Sequence, residues 1–305
     1  MTNFDWLSDL TPLHQAQEAW LDGSYYKPQT VHLLPDTAQP FYISCGSGLL
    51  AEHIRRFRFS PQFIQRMGQV TDERGRSLFQ ESFLNHLQRL RLRVNVNAAP
   101  EGTLLLPGEP IFVAQGPKLQ LLLLNSAFRL FFWDSTHWAT QAALHHWHAG
   151  TETEEDTPLI GPLGFNPEGW KKRALFIGGS PTSDNTDPAL WQGVQTIETP
   201  QGQPLLQIRR LFKRETPLGD IWLTADQEPE ASVSRTHADF SDLRTHQHHS
   251  IQMTRYQNLY QPVLLKGHPV LAEPSLGYLR QRMWKQLEAF KTTNLSSYLF
   301  GWMNE

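Results

Sequence analysis

Pro100-Glu101-Gly102-Thr103-Leu104-Leu105-Leu106-Pro107-Gly108-Glu109-Pro110 sets an apolar run between two turn-forming clusters. Proline fixes φ and glycine takes conformations that other residues avoid, so Pro100/Gly102 and Pro107/Gly108 punctuate the chain as tight turns. With the β-branched and apolar residues that flank it from Val94 to Val113, the stretch predicts short paired strands. The period then changes. Leu119 to Trp147 is apolar and aromatic over many helical turns, and a helix apolar on most faces is a buried one.

Upstream, Pro12 to Gly23 carries Leu13, Ala16, Gln17, Trp20 and Leu21 at helical spacing, with Gly23 as a stop signal. Thr30 to Leu34 and Phe41 to Ser44 predict short strands, and a helix follows from Leu49. Ser60-Pro61 opens another helix, since serine caps well and proline suits the first helical position. Phe79, Phe83, Leu84 and Leu87 stripe a further helix between Leu78 and Leu92.

Downstream, Thr151 to Thr157 is an acidic loop, Leu175-Phe176-Ile177 predicts a strand ending at a Gly-Gly turn, and Ser180 to Pro188 is polar and turn-rich. From Gln195 the pattern is that of strands: Leu205 to Phe212 and Asp220 to Thr224 around a turn at Pro217-Leu218-Gly219, then Gln257 to Leu265. Ser275 to Phe290 predicts a closing helix capped by Ser275. No internal repeat is present.

The chain has 305 residues, of which 39% are hydrophobic and 11% aromatic, enough for the core of one or two domains. A single cysteine, Cys45, gives neither a disulfide framework nor a zinc ribbon, and fits a reducing compartment. The acidic N-terminus is unlike a secretory leader, and no apolar run reaches the roughly 18 residues that span a bilayer. A cytoplasmic protein without a membrane partner is expected. A net charge of −3 offers no general attraction to nucleic acid, so no nucleic-acid partner is expected either. The basic runs Arg55 to Arg58, Arg89 to Arg93, Lys171-Lys172-Arg173 and Arg209 to Arg214 read as solvated faces.

Three constellations invite chemistry. His145 and His148 stand at i and i+3 in His145-His146-Trp147-His148, and His246 and His248 recur in a second cluster; these four are the candidate metal ligands, against a plainer reading as aromatic surface. Gly46-Ser47-Gly48 before a helix could cradle an anion or simply form a turn, and it lacks a P-loop lysine. Cys45 beside it has no basic neighbour in sequence and reads as a core residue.

The order of several motifs resembles the nicotinate phosphoribosyltransferase family. Pro100 to Pro110 is similar to that family's P-E-G, apolar, P-G-E-P turn in its outer domain. Leu10 to Gln15 resembles its opening helix, Gly46 to Phe59 its glycine, apolar helix and F-x-F segment, and Phe79 to Leu92 its next helix. Leu121 to Asn125 and Trp138-Ala139-Thr140-Gln141-Ala142-Ala143 resemble its L-L-N and A-T-K-A-A helix. Gly219 to Leu223, Gln261-Pro262-Val263, and Pro274 to Arg282 resemble the block that returns to the outer domain. The resemblance covers roughly residues 10 to 150 and 200 to 290 and marks the chain as a truncated, divergent member.

It implies an α+β outer domain built from both chain ends, with a much reduced α/β barrel remnant between them. Residues 1–150 would form the N-terminal part, 151–195 the remnant or linker, and 196–305 the returning block. A closed barrel takes ~250 residues and each βαβ unit ~30. About 45 residues, Thr151 to Gln195, lie between the matching blocks.

The family's F-G-x-R-R strand, H-x-H-S loop and D-S-G-D strands are not found, so no catalytic residue is assigned. Ile160 to Phe165 is the nearest remnant of the first, and Gly178 to Asn185 loosely resembles the I-G-G-x-x-x-T-S-N loop. His14 stands where the family has a tyrosine that stacks on the base across the dimer, and Gln141 replaces the lysine. The candidate substrate-binding residues are therefore His14, Thr140, Gln141, Arg209 and Arg210, with Arg209, Arg210, Lys213 or Arg214 as candidate phosphate ligands. The implied function is a protein of NAD salvage, catalytically reduced, acting as a dimerising or regulatory subunit. A homodimer, or a heteromer with a complete paralogue, is the implied assembly. Alternatives are a minimal active transferase, using magnesium with phosphoribosyl diphosphate, and a metal or small-ligand binding module built on the histidines.

Overall fold

Val31, His32 and Leu33 put a stiff, buried run in the middle of the first strand, β1 (Pro28–Leu34), and the main sheet is built around it. A computed structural model describes residues 10–35, 39–55, 57–106, 109–149, 167–179, 195–199, 207–213, 216–223, 237–241, 248–252, 260–272 and 274–292. β1 pairs with β5 (Phe112–Pro117) on one side and β6 (Gln195–Thr199) on the other. β5 pairs in turn with β3 (Asn95–Ala98), to which β11 (Gln261–Leu265) and β12 (His268–Pro269) are added. The six strands run in the order β12-β11-β3-β5-β1-β6, and every pairing is antiparallel.

The register sets Val31 opposite Ala114 and Leu33 opposite Phe112, so these side chains share one face. Helices cover that face. α1 (Thr11–Leu21) lies on α5 (Lys118–Phe128), which packs on β1 and β5. α2 (Ser47–Arg55) packs on β11 and β12, and α3 (Pro61–Gly68) packs on α4 (Glu81–Arg89). The predicted cap at Ser60 is present, its Oγ accepting from the Phe63 amide at 3.2 Å. The helix expected from Leu78 starts later, at Glu81, because Phe79 turns its ring toward His14 of α1 instead.

The long apolar helix is present with one irregularity. A π turn, Arg129–Trp133, joins α5 to α6 (Asp134–Ala149) without a break in direction, and the Asp134 amide donates to the Arg129 carbonyl. The Pro100 to Pro110 stretch also departs from its expectation. Among its described residues only Leu104–Leu105 forms a strand, β4, paired with β2 (Tyr42–Ile43), while residues before it make a tight turn with Gly102 at φ 74°.

A second, smaller core gathers where β2 and β4 meet α6, α7 (Pro167–Ile177) and α8 (Leu276–Thr292), through Phe41, Ile43, Leu104, Ala139, Ile177 and Met283. α7 corrects the sequence reading: Leu175-Phe176-Ile177 is the end of a helix and not a strand. Trp170, Arg173, Ala174 and Ile177 recur at i, i+3, i+4 and i+7, and all four are buried, so the apolar triplet is the overlap of a helical stripe with its neighbours. The Gly-Gly stop is where it was expected, with Gly179 at φ 97°. Ser275 caps α8, its Oγ accepting from the Tyr278 amide at 3.3 Å.

Two further hairpins are β7 (Gln207–Lys213) with β8 (Thr216–Leu223), and β9 (His237–Ser241) with β10 (His248–Gln252). The turn expected at Pro217-Leu218-Gly219 is a correction too. These residues lie inside β8, where the ladder shifts register opposite Leu211 and Phe212, and such a bulge accommodates both proline and glycine. The chain is thus a mixed α/β fold. Of the stretch expected to hold a barrel remnant, α7 is described, and Gln195 opens β6 in the main sheet. The loops expected at Thr151 to Thr157 and Ser180 to Pro188 lie outside the described residues.

Candidate functional site

The densest buried polar arrangement among the described residues gathers where β2 runs into α2. Gly46 adopts φ 106°, and a Cβ there would overlap the Phe131 carbonyl, so only glycine fits. That turn points two amides inward. The Gly46 and Gly48 N–H groups donate to Glu101 Oε1 at 2.7 and 3.1 Å. The sequence left open whether Gly46-Ser47-Gly48 cradles an anion or merely turns; it does both, and the anion is a carboxylate of the same chain.

Glu101 Oε2 is bound by Arg173 Nη2 in a salt bridge whose side chains are 4% and 1% exposed. Arg173 Nη1 lies 3.6 Å from Cys45 Sγ. Two expectations are overturned here. Arg173 belongs to no solvated face, because it stands three positions after buried Trp170 on the same helical stripe, and Cys45 does have a basic neighbour, supplied by a helix distant in sequence.

Burial pushes the Glu101 carboxyl up, but the Arg173 guanidinium and the two glycine amides outweigh it and hold it below the ordinary carboxylate range. The thiol goes the other way. Burial, reinforced by the Glu101 charge, pushes Cys45 far up, with Arg173 only partly opposing it. Cys45 is 1% exposed, so it is no nucleophile in the folded protein. We expect iodoacetamide at pH 8 to modify it at least about 100-fold more slowly than in the urea-unfolded chain. Prompt labelling of the native protein, followed by mass spectrometry, would contradict this burial.

The backbone around the pair is fully tied. Ser44 Oγ donates to the Ala99 carbonyl at 3.0 Å, and the Gly102 amide to the Ser44 carbonyl at 2.8 Å. From α8, Arg282 Nη1 donates to the Glu101 carbonyl at 3.2 Å, and Gln286 Oε1 accepts from the Leu104 amide at 2.9 Å. The cleft beside Glu101, lined by Ser47, Gln261, Leu279 and Arg282 among others, has a volume of about 20 Å³. That is room for a water molecule and not for a diphosphate.

The residues singled out from sequence are dispersed. His14 is half-buried on α1, its ring centroid 5.3 Å from that of Phe79. Thr140 is 1% exposed, and its hydroxyl accepts from the Ile43 amide at 2.9 Å while donating to the Thr136 carbonyl at 2.6 Å. Gln141 is half-buried one residue on. Arg209 and Arg210 lie on β7, opposite Ile221 and Asp220 of β8. Their side chains lie outside the described residues.

Of the histidines, His145 is exposed, while buried His146 bonds the Gly179 carbonyl and sits edge-on to Trp284 at 4.9 Å. The His148 side chain and His246 lie outside the described residues, and His248 is placed only as the start of β10. Among the described residues no group of three or more His, Cys, Asp or Glu is placed to hold a metal. No helix among them is long and apolar enough to cross a membrane.

Glu101 and Arg173 were missed by sequence reasoning. The signal existed: Arg173 stands in the apolar stripe of α7, and a charged residue on such a stripe demands a buried partner. Glu101 gave less, since a glutamate between proline and glycine reads as a turn.

No family model matches the chain. It is similar to nicotinate phosphoribosyltransferase pncB1 of Mycobacterium tuberculosis, in two strains, at 27% identity over 141 residues. The aligned segment covers 45% of this chain and 30% of the relative, well under half of that protein's length. In three dimensions the chain is similar to human nicotinic acid phosphoribosyltransferase, with a TM-score of 0.69 over 93% of this chain and 94% of that one. At 14% identity this is a likeness of fold.

Proposed function

We propose that this chain, nicotinate phosphoribosyltransferase-like in sequence and fold, serves NAD salvage as a catalytically reduced subunit that associates with itself or with a complete paralogue. The observation that carries the reading is that the helix-head amides able to cradle an anion are used inside the fold. The glycine amides at the head of α2 are taken by Glu101, and Arg173 is that carboxylate's counter-ion. Groups already neutralised inside the fold have no surplus charge for a diphosphate.

Two further observations support it. The hydroxyl of Thr140, in the A-T-Q-A-A segment, is engaged twice by backbone, and its neighbour is Gln141 where the resembled family has a lysine. The sequence also lacks the family's arginine pair, its H-x-H-S loop and its D-S-G-D strands. Phosphoribosyl transfer needs donors converging on the diphosphate and carboxylates near the ribose, held on rigid elements. Magnesium enters this proposal only as the counter-ion of the substrate diphosphate.

Calorimetric titration of the full chain with phosphoribosyl diphosphate and magnesium is expected to give a Kd of about 1 mM or weaker. Incubation with nicotinate, ATP, magnesium and phosphoribosyl diphosphate should release no pyrophosphate above a protein-free blank. Size-exclusion chromatography with light scattering should show a dimer, or a heteromer when a paralogue is added. Tight one-to-one binding with pyrophosphate release would make the chain a minimal active transferase, in which Arg209 and Arg210 are the first residues to substitute. A strict monomer that captures no paralogue would remove the subunit role.

A further inference from the structure

The π turn at Arg129–Trp133 is closed by the amide of a residue whose own side chain is poorly accommodated. Asp134 is 5% exposed and its Oδ1 has no hydrogen-bond partner among the described residues. The next residue repeats the problem: Ser135 is 1% exposed and its Oγ is also without a partner among the described residues. A buried carboxyl left with an unpartnered oxygen is far cheaper neutral than ionised.

An ordinary α register would send the Asp134 amide to Leu130; the π register sends it to Arg129 instead. Turns of this kind are uncommon and cluster at functional sites. This one is braced from several sides. His53 of α2 stacks on Phe131 at 4.4 Å, Trp170 of α7 meets the same ring at 5.3 Å, Phe112 of β5 packs on Phe132 at 4.6 Å, and Tyr42 of β2 faces Trp133 at 6.4 Å. His53 and Tyr42, with His137 of α6 6.4 Å from Trp133, are the titratable groups the described residues bring to the turn by ring contact. The charge that acts on Asp134 itself is Arg129, at the other end of the turn.

We propose that this turn is a proton-sensitive joint: it keeps its register while the Asp134 carboxyl is neutral and loosens when that proton leaves. The proposal does not rest on the transferase reading. Burial raises the Asp134 pKa to about 8, with Arg129 only partly opposing the rise. The sign follows. Below the ordinary aspartate range the native and unfolded chains both hold the proton; between there and about 8 only the native chain does, so stability falls as pH climbs through that window.

The consequence reaches the buried ion pair. The Phe131 carbonyl fills the space where a Cβ on Gly46 would sit, and the Gly46 amide holds Glu101. A turn that changes register moves that carbonyl away from Gly46.

Hydrogen exchange of the full chain, corrected for intrinsic rates and read by mass spectrometry at pH 6.5 and 9.5, tests this. Amide protection across residues 129–134 should fall about tenfold or more in the native protein and stay constant in Asp134→Asn. Protection that does not change with pH, or that falls equally in both proteins, overturns the proposal. Asp134→Leu serves as a second proton-free variant. Should neither variant fold, the wild type decides alone: protection across residues 129–134 that falls in step with titration of the Asp134 ¹³C carboxyl resonance upholds the joint, and a carboxyl titrating in the ordinary aspartate range, or protection that ignores its titration, overturns it.

Discussion

Arg173→Met is expected to lower the unfolding free energy by about 3–5 kcal/mol, because it strands the Glu101 carboxylate in the core with only two glycine amides for company. A typical domain is stable by only about 5–15 kcal/mol, so this single change takes much of the margin. Glu101→Gln keeps an acceptor for the amides but leaves the guanidinium unneutralised, and costs a similar amount. The two together should cost clearly less than their sum, since the second change removes the charge that the first left exposed to a low dielectric. Arg173→Lys should rescue poorly, as an ammonium cannot span both Glu101 and Cys45 in the plane a guanidinium occupies. Urea midpoints of the four variants and the wild type make the measurement. An Arg173→Met midpoint equal to that of the wild type would mean the pair is not buried as described.

Gly46→Ala should be at least as damaging, at about 4 kcal/mol or more, and recovery of folded protein should drop with it. Two costs coincide. The φ of 106° is outside what an L-residue adopts easily, and the new methyl group would run into the Phe131 carbonyl and the Phe132 Cα, both backbone atoms of a braced helix. Nothing flexible is available to move aside. Gly23 and Gly75 supply the control, for they share a positive φ but have nothing among the described residues within 4 Å of an added Cβ. Alanine there should cost about 1 kcal/mol, the conformational penalty alone. Circular dichroism melts of the three variants separate the effects, and a Gly46→Ala protein that melts with the controls would refute the packing at this turn.

Much of the outer layer was legible because local signals agreed with each other there. Ser60-Pro61 and Ser275 begin helices as capping chemistry requires, and Gly23 and Gly179 stop them. The long run from Leu119 was legible for the same reason, although its π turn was not: one extra residue in a helix that is apolar on most faces leaves the periodicity looking intact. α7 was misread because three consecutive apolar residues fit a buried strand or a buried helix equally well. Only the wider stripe from Trp170 to Ile177 separates them. The candidate site was the least legible part. Glu101 and Arg173 lie 72 residues apart, and no pattern along the chain states that a turn glutamate and a helix arginine neutralise one another. The residues that resemblance suggested are instead scattered over α1, α6 and β7, with Thr140 occupied by the backbone beside it.

The place of β11 in the main sheet bears on how the molecule is made. β3 occupies residues 95–98, but the strand that covers its outer side comes from 261–265, and β11 also carries β12. While a ribosome is still reading the intervening codons, the nascent chain holds β3 with an open flank of amides and carbonyls and nothing to pair with. Such an edge invites pairing with another chain. At roughly 5–20 residues per second the exposure lasts on the order of ten seconds or more. Cells that make this protein quickly, or without enough chaperone to occupy that flank, should therefore lose it to inclusion bodies before synthesis reaches Gln261.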